Sequence, residues 1–217
     1  MKNFYKYLSY LFIILSIVFL IGIIVELSSQ DKPTAKIIDI SINDELQEEL
    51  DSKNPSVLIK TSLGDITIEL DAENAPISTE NFISYVEDDF YENLIFHRVI
   101  SEFMIQGGGF DSEGVQKETK SPILLESYNG LSNTRGTIAM ARTNVPNSAT
   151  SQFFINVVDN TFLDYTGPTN PGYAVFGKVT QGMDVVDSIR LVETSTTGAF
   201  QDWPVENVII YSVEIIN

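Results

Sequence analysis

The chain has no cysteine among its 217 residues. That one absence excludes disulfides, a thiol nucleophile, a zinc–thiolate site and a lipidated cysteine. A single histidine removes most metal-binding and catalytic-triad schemes as well. Basic side chains are scarce: 13 Lys and Arg stand against 30 Asp and Glu, a formal charge of −17. Residues 1–54 carry −3 of it (5 basic, 8 acidic) and residues 55–217 carry −14 (8 basic, 22 acidic). No nucleic acid is expected as a partner for such a surface. The acidity reads first as solubility and second as attraction for basic client chains. The length suits one domain of ordinary size plus an extension.

Against these absences stands one long hydrophobic run. Tyr7 to Val25 is free of charge, with Lys2 and Lys6 before it and Glu26 and Asp31 after it. At 1.5 Å per residue, a helix of that length is about as thick as the hydrocarbon core of a bilayer. A secretory signal peptide has a shorter apolar region and small residues before its cleavage site, whereas ELSSQDK follows here. An uncleaved membrane anchor over residues 1–27 is expected, the lysines placing its start in the cytoplasm and the rest of the protein outside. Secretion after signal cleavage is the alternative. Residues 28–54 read as an acidic linker. Within it Ile42, Leu46 and Leu50 recur at four-residue spacing, so a short helix is possible, but a spacer is the favoured reading.

From Val57 the pattern changes to the alternation of strands. VLIKTS and DITIEL, joined around Leu63-Gly64-Asp65, predict a tight hairpin. NAPISTENFISYVEDDFY predicts one amphipathic helix, opened by Pro76 and striped by Phe82, Ile83 and Val86. Short apolar runs follow at 96–100, 103–106, 136–141, 152–157, 174–179 and 208–216, with a second helix over Met183 to Val192. Short strands separated by Gly, Asn and Pro predict an all-β barrel or sandwich.

The stretch FHRVISEFMIQGGG, Phe96 to Gly109, organises the rest. Strand alternation places Phe96, Arg98 and Ile100 on one face, with His97 and Val99 on the other. A guanidinium among apolar residues is either a member of a structural ion pair or a functional group. Gly107–Gly109 has no accompanying phosphate-loop pattern and reads as a turn or bulge. His97, without a second histidine or a cysteine, reads as a satisfied structural residue. Ser148 and Ser151 lack the glycines of a nucleophile elbow. Phe103, Met104, Phe153 and Phe154 are core residues by default, although alternate positions on a barrel strand can face outward as a pocket wall.

The same stretch resembles the signature of the cyclophilins, the peptidyl-prolyl cis/trans isomerases. The similarity continues in SNTRGTIAMARTNVPNSATSQFFINVVDNTFLD and GYAVFGKVTQGMDVVDSI, covers about Pro55 to Asn217, and is closest to the bacterial secreted type. It implies a closed eight-stranded antiparallel barrel capped by two helices over residues 55–217. It makes Arg98 the catalytic guanidinium, with Phe103, Met104, Phe154 and Leu163 lining a proline pocket. Gln106 and Gln152 supply polar contacts, and Ala141, Arg142 and Thr143 hold the peptide through their main chain. Phe162 stands where eukaryotic members have tryptophan, and Tyr173 replaces a histidine at the pocket edge. The lost indole N–H implies weak cyclosporin binding. Proline-containing polypeptide clients, no cofactor, no metal and a monomeric state are expected. A cyclophilin-like module that binds clients or acts as a chaperone without catalysis is the alternative.

Overall fold

The computed structural model describes residues 54–216. The expected anchor at 1–27 and nearly all of the linker lie outside the described residues. Among the described residues no helix is long and apolar enough to cross a membrane.

The two alternating runs form β1 (Ser56–Thr61) and β2 (Gly64–Leu70), paired from Ser56↔Glu69 to Thr61↔Gly64 across a turn of Ser62 and Leu63. The Thr61 hydroxyl closes this turn, donating to the Gly64 carbonyl at 2.6 Å and accepting from Leu63 N–H at 3.1 Å. Val57, Ile59, Ile66, Ile68 and Leu70 point inward and are fully buried. That period of two follows from Cβ atoms alternating across a pleated strand.

The remaining wall is β3 (Leu94–Ile100), β4 (Met104–Asp111), β5 (Thr137–Met140), β6 (Phe153–Asn156), β7 (Val175–Gln181) and β10 (Ile209–Ile215). Together the eight strands close into a barrel in the order β1-β10-β3-β4-β6-β5-β7-β2, all neighbours antiparallel. Closure removes the free edges along which sheets add further strands.

Two helices complete the core. In α1 (Pro76–Glu87), proline sits at the start and Phe82, Tyr85 and Val86 are buried; Ile83 is only partly so. Ala75 offers no side chain to cap this helix. The buried Glu126 does so from a distant loop, accepting from Ile77 N–H (3.2 Å) and Ser78 N–H (2.5 Å). A carboxylate there meets both unpaired N–H groups and the positive end of the helix dipole. In α2 (Met183–Arg190), Val186 and Ile189 are buried, and Gly182 precedes it with φ +86°.

One element was not expected. β8 (Thr194–Thr197) and β9 (Phe200–Pro204) form a separate hairpin that packs against β3. Trp203 anchors it, 6% exposed, its ring 6.2 Å from His97, 6.1 Å from Phe110 and 5.3 Å from Phe200.

The three glycines of the signature lie inside β4 and do not end it. Gly108 has φ +81°, and a Cβ there would come within 3.0 Å of the Tyr91 and Phe153 rings. The register skips residues of β4 between Leu94↔Asp111 and Phe96↔Gly107, so the triplet is a bulge within the strand. A second irregularity corrects the expected facing of Arg98. Phe96 pairs with Gly107 and Arg98 with Gln106, so β3 carries one extra residue. Such an insertion swaps the alternation. Phe96 and Val99 therefore both reach the barrel core, while Arg98 opens outward and shares no face with Phe96.

Candidate active site

On the outside of the wall, the alternate residues of four strands meet. Met104 of β4, Ala139 of β5, Phe154 of β6 and Val175 of β7 form a small apolar cluster separate from the barrel core. Their neighbours Ile105, Ile138, Phe153, Ile155 and Phe176 face inward. Ile100, Phe103, Ala141, Leu163 and Tyr173 pack around the outer cluster. An open pocket of about 130 Å³ lies over it, lined by Arg98, Phe103, Met104, Gln106, Ala141, Arg142, Phe154, Leu163 and Tyr173. These are residues expected from the sequence, brought together from six separate stretches of chain.

Arg98 stands at the polar end of this pocket, its side chain 41% exposed. It is therefore not the buried charge that its apolar neighbours in sequence suggested. Its one ionic neighbour among the described residues is Asp202 of β9, with Nε 3.7 Å from Oδ2. Opposite it on β4, Gln106 donates from Nε2 to Gln152 Oε1 at 2.8 Å. Gln152 is wedged against Gly109, where a Cβ would fall 2.6 Å from its amide. Gln152 thus stands behind the lining and holds Gln106 in place.

The other end is aromatic. Phe154 meets the edge of Tyr173 at 5.7 Å. Phe162, 66% exposed, lies outside the lining and stacks on Phe103 at 5.8 Å. The resemblance implies a main-chain role for Arg142, and the structure engages its side chain as well. Nε donates to the Gly172 carbonyl at 2.9 Å, and the guanidinium lies 4.5 Å from the Tyr173 ring centre. Thr143 is set back in a turn, its N–H and hydroxyl both bonded to Ser148 Oγ. Among the described residues no main-chain partner is found for the Ala141 carbonyl or the Arg142 N–H.

A polar network unannounced by the sequence fixes the pocket's far wall. Asn160 Nδ2 donates to the Phe103 carbonyl and to Asn156 Oδ1, each at 2.8 Å. Asn156 in turn donates to Thr137 Oγ1 and Asn133 Oδ1. Asn133 donates from its main chain and its amide to Asp164, next to Leu163. Burial pushes the Asp164 carboxyl up, but the Ser132 hydroxyl and the two Asn133 donors outweigh it and hold the group below its ordinary value. Ser132, Asn133, Asn160 and Asp164 belong to no periodic run, which is why their part in the wall does not show in the pattern of the sequence.

His97 is structural, as expected, but it is not satisfied: Nδ1 has no hydrogen-bond partner. Burial against Phe110 and Trp203 lowers its pKa to about 4; the nearby Arg98 charge adds to this, while the Ile95 carbonyl and Gln152 oppose it. It is neutral at pH 7. Among the described residues no cluster of His, Asp and Glu is arranged to hold a metal ion.

The chain is similar to known proteins over most of its length. The family described as cyclophilin type peptidyl-prolyl cis-trans isomerase/CLD matches residues 56–215. The chain is 59% identical over 162 residues to a peptidyl-prolyl cis-trans isomerase of Acinetobacter baylyi, covering 75% of this chain and 86% of that one. It is 55% identical over 161 residues to peptidyl-prolyl cis-trans isomerase B of Escherichia coli, covering 73% and 98%. Among solved structures, a cyclophilin type isomerase of Cryptosporidium parvum aligns with TM-score 0.64 at 29% identity, covering 76% of this chain and 98% of that one. A second structure of that protein, determined in the presence of the dipeptide Ala-Pro, aligns with TM-score 0.60 at 28% identity, covering 75% and 99%.

Proposed function

The chain belongs to the cyclophilin-type peptidyl-prolyl cis-trans isomerases, and from that membership we propose that Arg98 is its catalytic residue, acting on X-Pro bonds of client chains seated in the outer pocket. One observation carries the reading: an outward guanidinium at the rim of an apolar pocket lined by Phe103, Met104, Phe154 and Leu163.

A peptide bond resists rotation by about 18–20 kcal/mol because the nitrogen lone pair is delocalised into the carbonyl. When the bond twists, the prolyl nitrogen becomes pyramidal and its lone pair becomes available to accept a hydrogen bond. The apolar pocket holds the proline ring, and an Arg98 N–H donates to that nitrogen. The planar amide offers no such acceptor, so the contact is stronger in the twisted state than in the ground state. Differential binding of this kind is what lowers a barrier. No bond is broken and no proton is transferred, so neither metal, cofactor nor acid–base residue is required. The Ala141 carbonyl and the Arg142 N–H, with Gln106 held by Gln152, align the peptide; the main chain of Thr143 is already bonded to Ser148 and to the Arg142 guanidinium. Tyr173 lines the pocket and Phe162 backs its wall at Phe103, and the absence of an indole donor at Phe162 makes cyclosporin a weak ligand.

The test is NMR exchange on a short peptide with a single Ala–Pro bond. Arg98→Ala should lower kcat about 10²- to 10³-fold, the cost of removing one preorganised transition-state donor, without unfolding the barrel. Lysine should rescue poorly because it lacks the planar fork. Near-normal turnover by a folded Arg98→Ala protein would refute the assignment.

The setting belongs to the same proposal. Residues 1–27 anchor the protein, 28–54 form a spacer, and 55–217 work outside the cytoplasmic membrane on proline-containing clients. The uncharged run at 7–25 and the preceding lysines support this. The closed barrel, with no edge to extend, supports a monomer. An anchored protein should stay in the membrane fraction through high-salt and alkaline washes. A soluble form starting near Ser28 or Gln30 would show a cleaved signal peptide instead.

A further inference from the structure

The four arginines of the domain are not held alike. Arg135 bonds to the Val157 carbonyl and, through both terminal nitrogens, to Asp187. Arg142 bonds to two carbonyls, and Arg190 to Asp187, Glu102 and the Ser101 carbonyl. The Arg98 side chain makes no hydrogen bond among the described residues, and one carboxylate faces it, Asp202, 3.7 Å from Nε. That distance is too long for a hydrogen bond and short enough for a directed Coulombic attraction.

Asp202 does not sit on a free loop. It occupies the left-handed region, φ +59°, which Asp and Asn tolerate better than other non-glycine residues. Trp203, its neighbour, is buried against His97 and Phe110. The indole Nε1 donates to Asn207 Oδ1 at 3.3 Å, and Asn207 Nδ2 donates to the Ser112 carbonyl at 3.0 Å. The β8–β9 hairpin is thus fastened to the barrel wall beside β3, and it presents a carboxylate to the Nε edge of the arginine.

We propose that Asp202 is a positioning residue for the isomerase: it draws the Nε edge of Arg98 toward the hairpin and so favours the rotamer whose terminal N–H groups face the pocket. The proposal rests on the reading of Arg98 as catalytic. An exposed ion pair contributes little to stability, so its effect belongs in turnover, where small misplacements of a catalytic group are costly. Four charged arrangements on one barrel, three locked and one steered, leave Arg98 able to adjust as the amide twists.

The experiment uses the full-length protein in detergent micelles and NMR exchange on a peptide with one Ala–Pro bond, reading kcat and KM separately. Asp202→Asn keeps the backbone conformation and removes the charge. Its kcat should fall about three- to tenfold with KM within about twofold and the melting temperature unchanged. The gap from the parent should narrow as salt rises toward about 1 M, where screening is nearly complete. In an Arg98→Ala background, Asp202→Asn should change nothing further. Parental kcat in Asp202→Asn beside an inactive Arg98→Ala would overturn the role of Asp202 alone. A loss that ignores salt, or that persists in the Arg98→Ala background, would overturn it too. An active Arg98→Ala protein would instead overturn the catalytic reading beneath it.

Discussion

Phe153 and Phe154 are adjacent on β6, yet they belong to different parts of the molecule. Phe153 faces inward, fully buried among the rings of Phe82, Tyr91 and Phe96. Phe154 faces outward onto Met104, Ala139 and Val175, where the cluster is open on one side as a pocket. The inner cluster gathers strands and both helices, whereas the outer one gathers four strand residues and a rim of loops. The same chemistry on the two faces of one wall therefore serves two ends. Closed on every side, apolar area stabilises the fold; left open, it is available to a client's proline ring.

The sharpest way to break this comparison is to truncate both rings. Phe153→Ala should cost about 3–5 kcal/mol of stability, since an enclosed site cannot collapse fully around the lost ring. Phe154→Ala should cost less, because its side of the wall already opens to water, and it should raise KM for a prolyl peptide about tenfold or more. Denaturant unfolding and NMR exchange on both variants decide it. Equal losses in both measurements would erase the distinction.

Acid offers a gentler test, one that separates the wall under the hairpin from the pocket beside it. With a folded pKa of about 4 against the ordinary 6.5, His97 stays neutral where the unfolded chain binds a proton. Stability is fully present above about pH 6.5 and falls as pH drops toward 4, by up to about 3 kcal/mol. Below that, Asp164, whose folded pKa is depressed, adds a further loss as it is protonated. Urea unfolding at pH 7 and pH 4.5 should show the first loss, and His97→Phe should flatten it. Isomerase activity, by contrast, should vary little between about pH 6 and 9, since arginine stays charged and no group exchanges a proton. A bell-shaped profile near neutrality in a folded protein would give His97 a part in turnover and blur the two regions.

Much of both regions was legible in advance. The alternation in VLIKTS and DITIEL names strand residues and their two faces, the short apolar runs at 136–141 and 152–157 name further strands, and the helical stripe of Phe82 and Val86 names α1. The signature around Arg98, together with Phe103, Met104, Phe154 and Leu163, placed the pocket by its resemblance to a family. Other features escaped. The β8–β9 hairpin is made of Thr, Ser, Gln and Asp with little apolar alternation, and its one strong marker, Trp203, carries no period. Glu126 caps a helix that begins some fifty residues earlier in the chain. Nothing next to it in sequence indicates that role.

By itself the sequence determined which residues could be strand, helix or turn, because those preferences depend on side-chain spacing and backbone freedom within a few residues. It also determined the chemistry on hand: one histidine, no thiol, and an arginine beside a run of apolar residues. Only the tertiary structure decided where that arginine points. The extra residue of β3 at the bulge, counted against Gln106 and Gly107 of a partner strand, turns Arg98 away from the face of Phe96 and out to the pocket. Register between two strands is a relation between two stretches of chain, and so is the approach of Asp202. Neither can be read from the periodicity of one stretch alone, because periodicity records where side chains alternate and not where the alternation is reset.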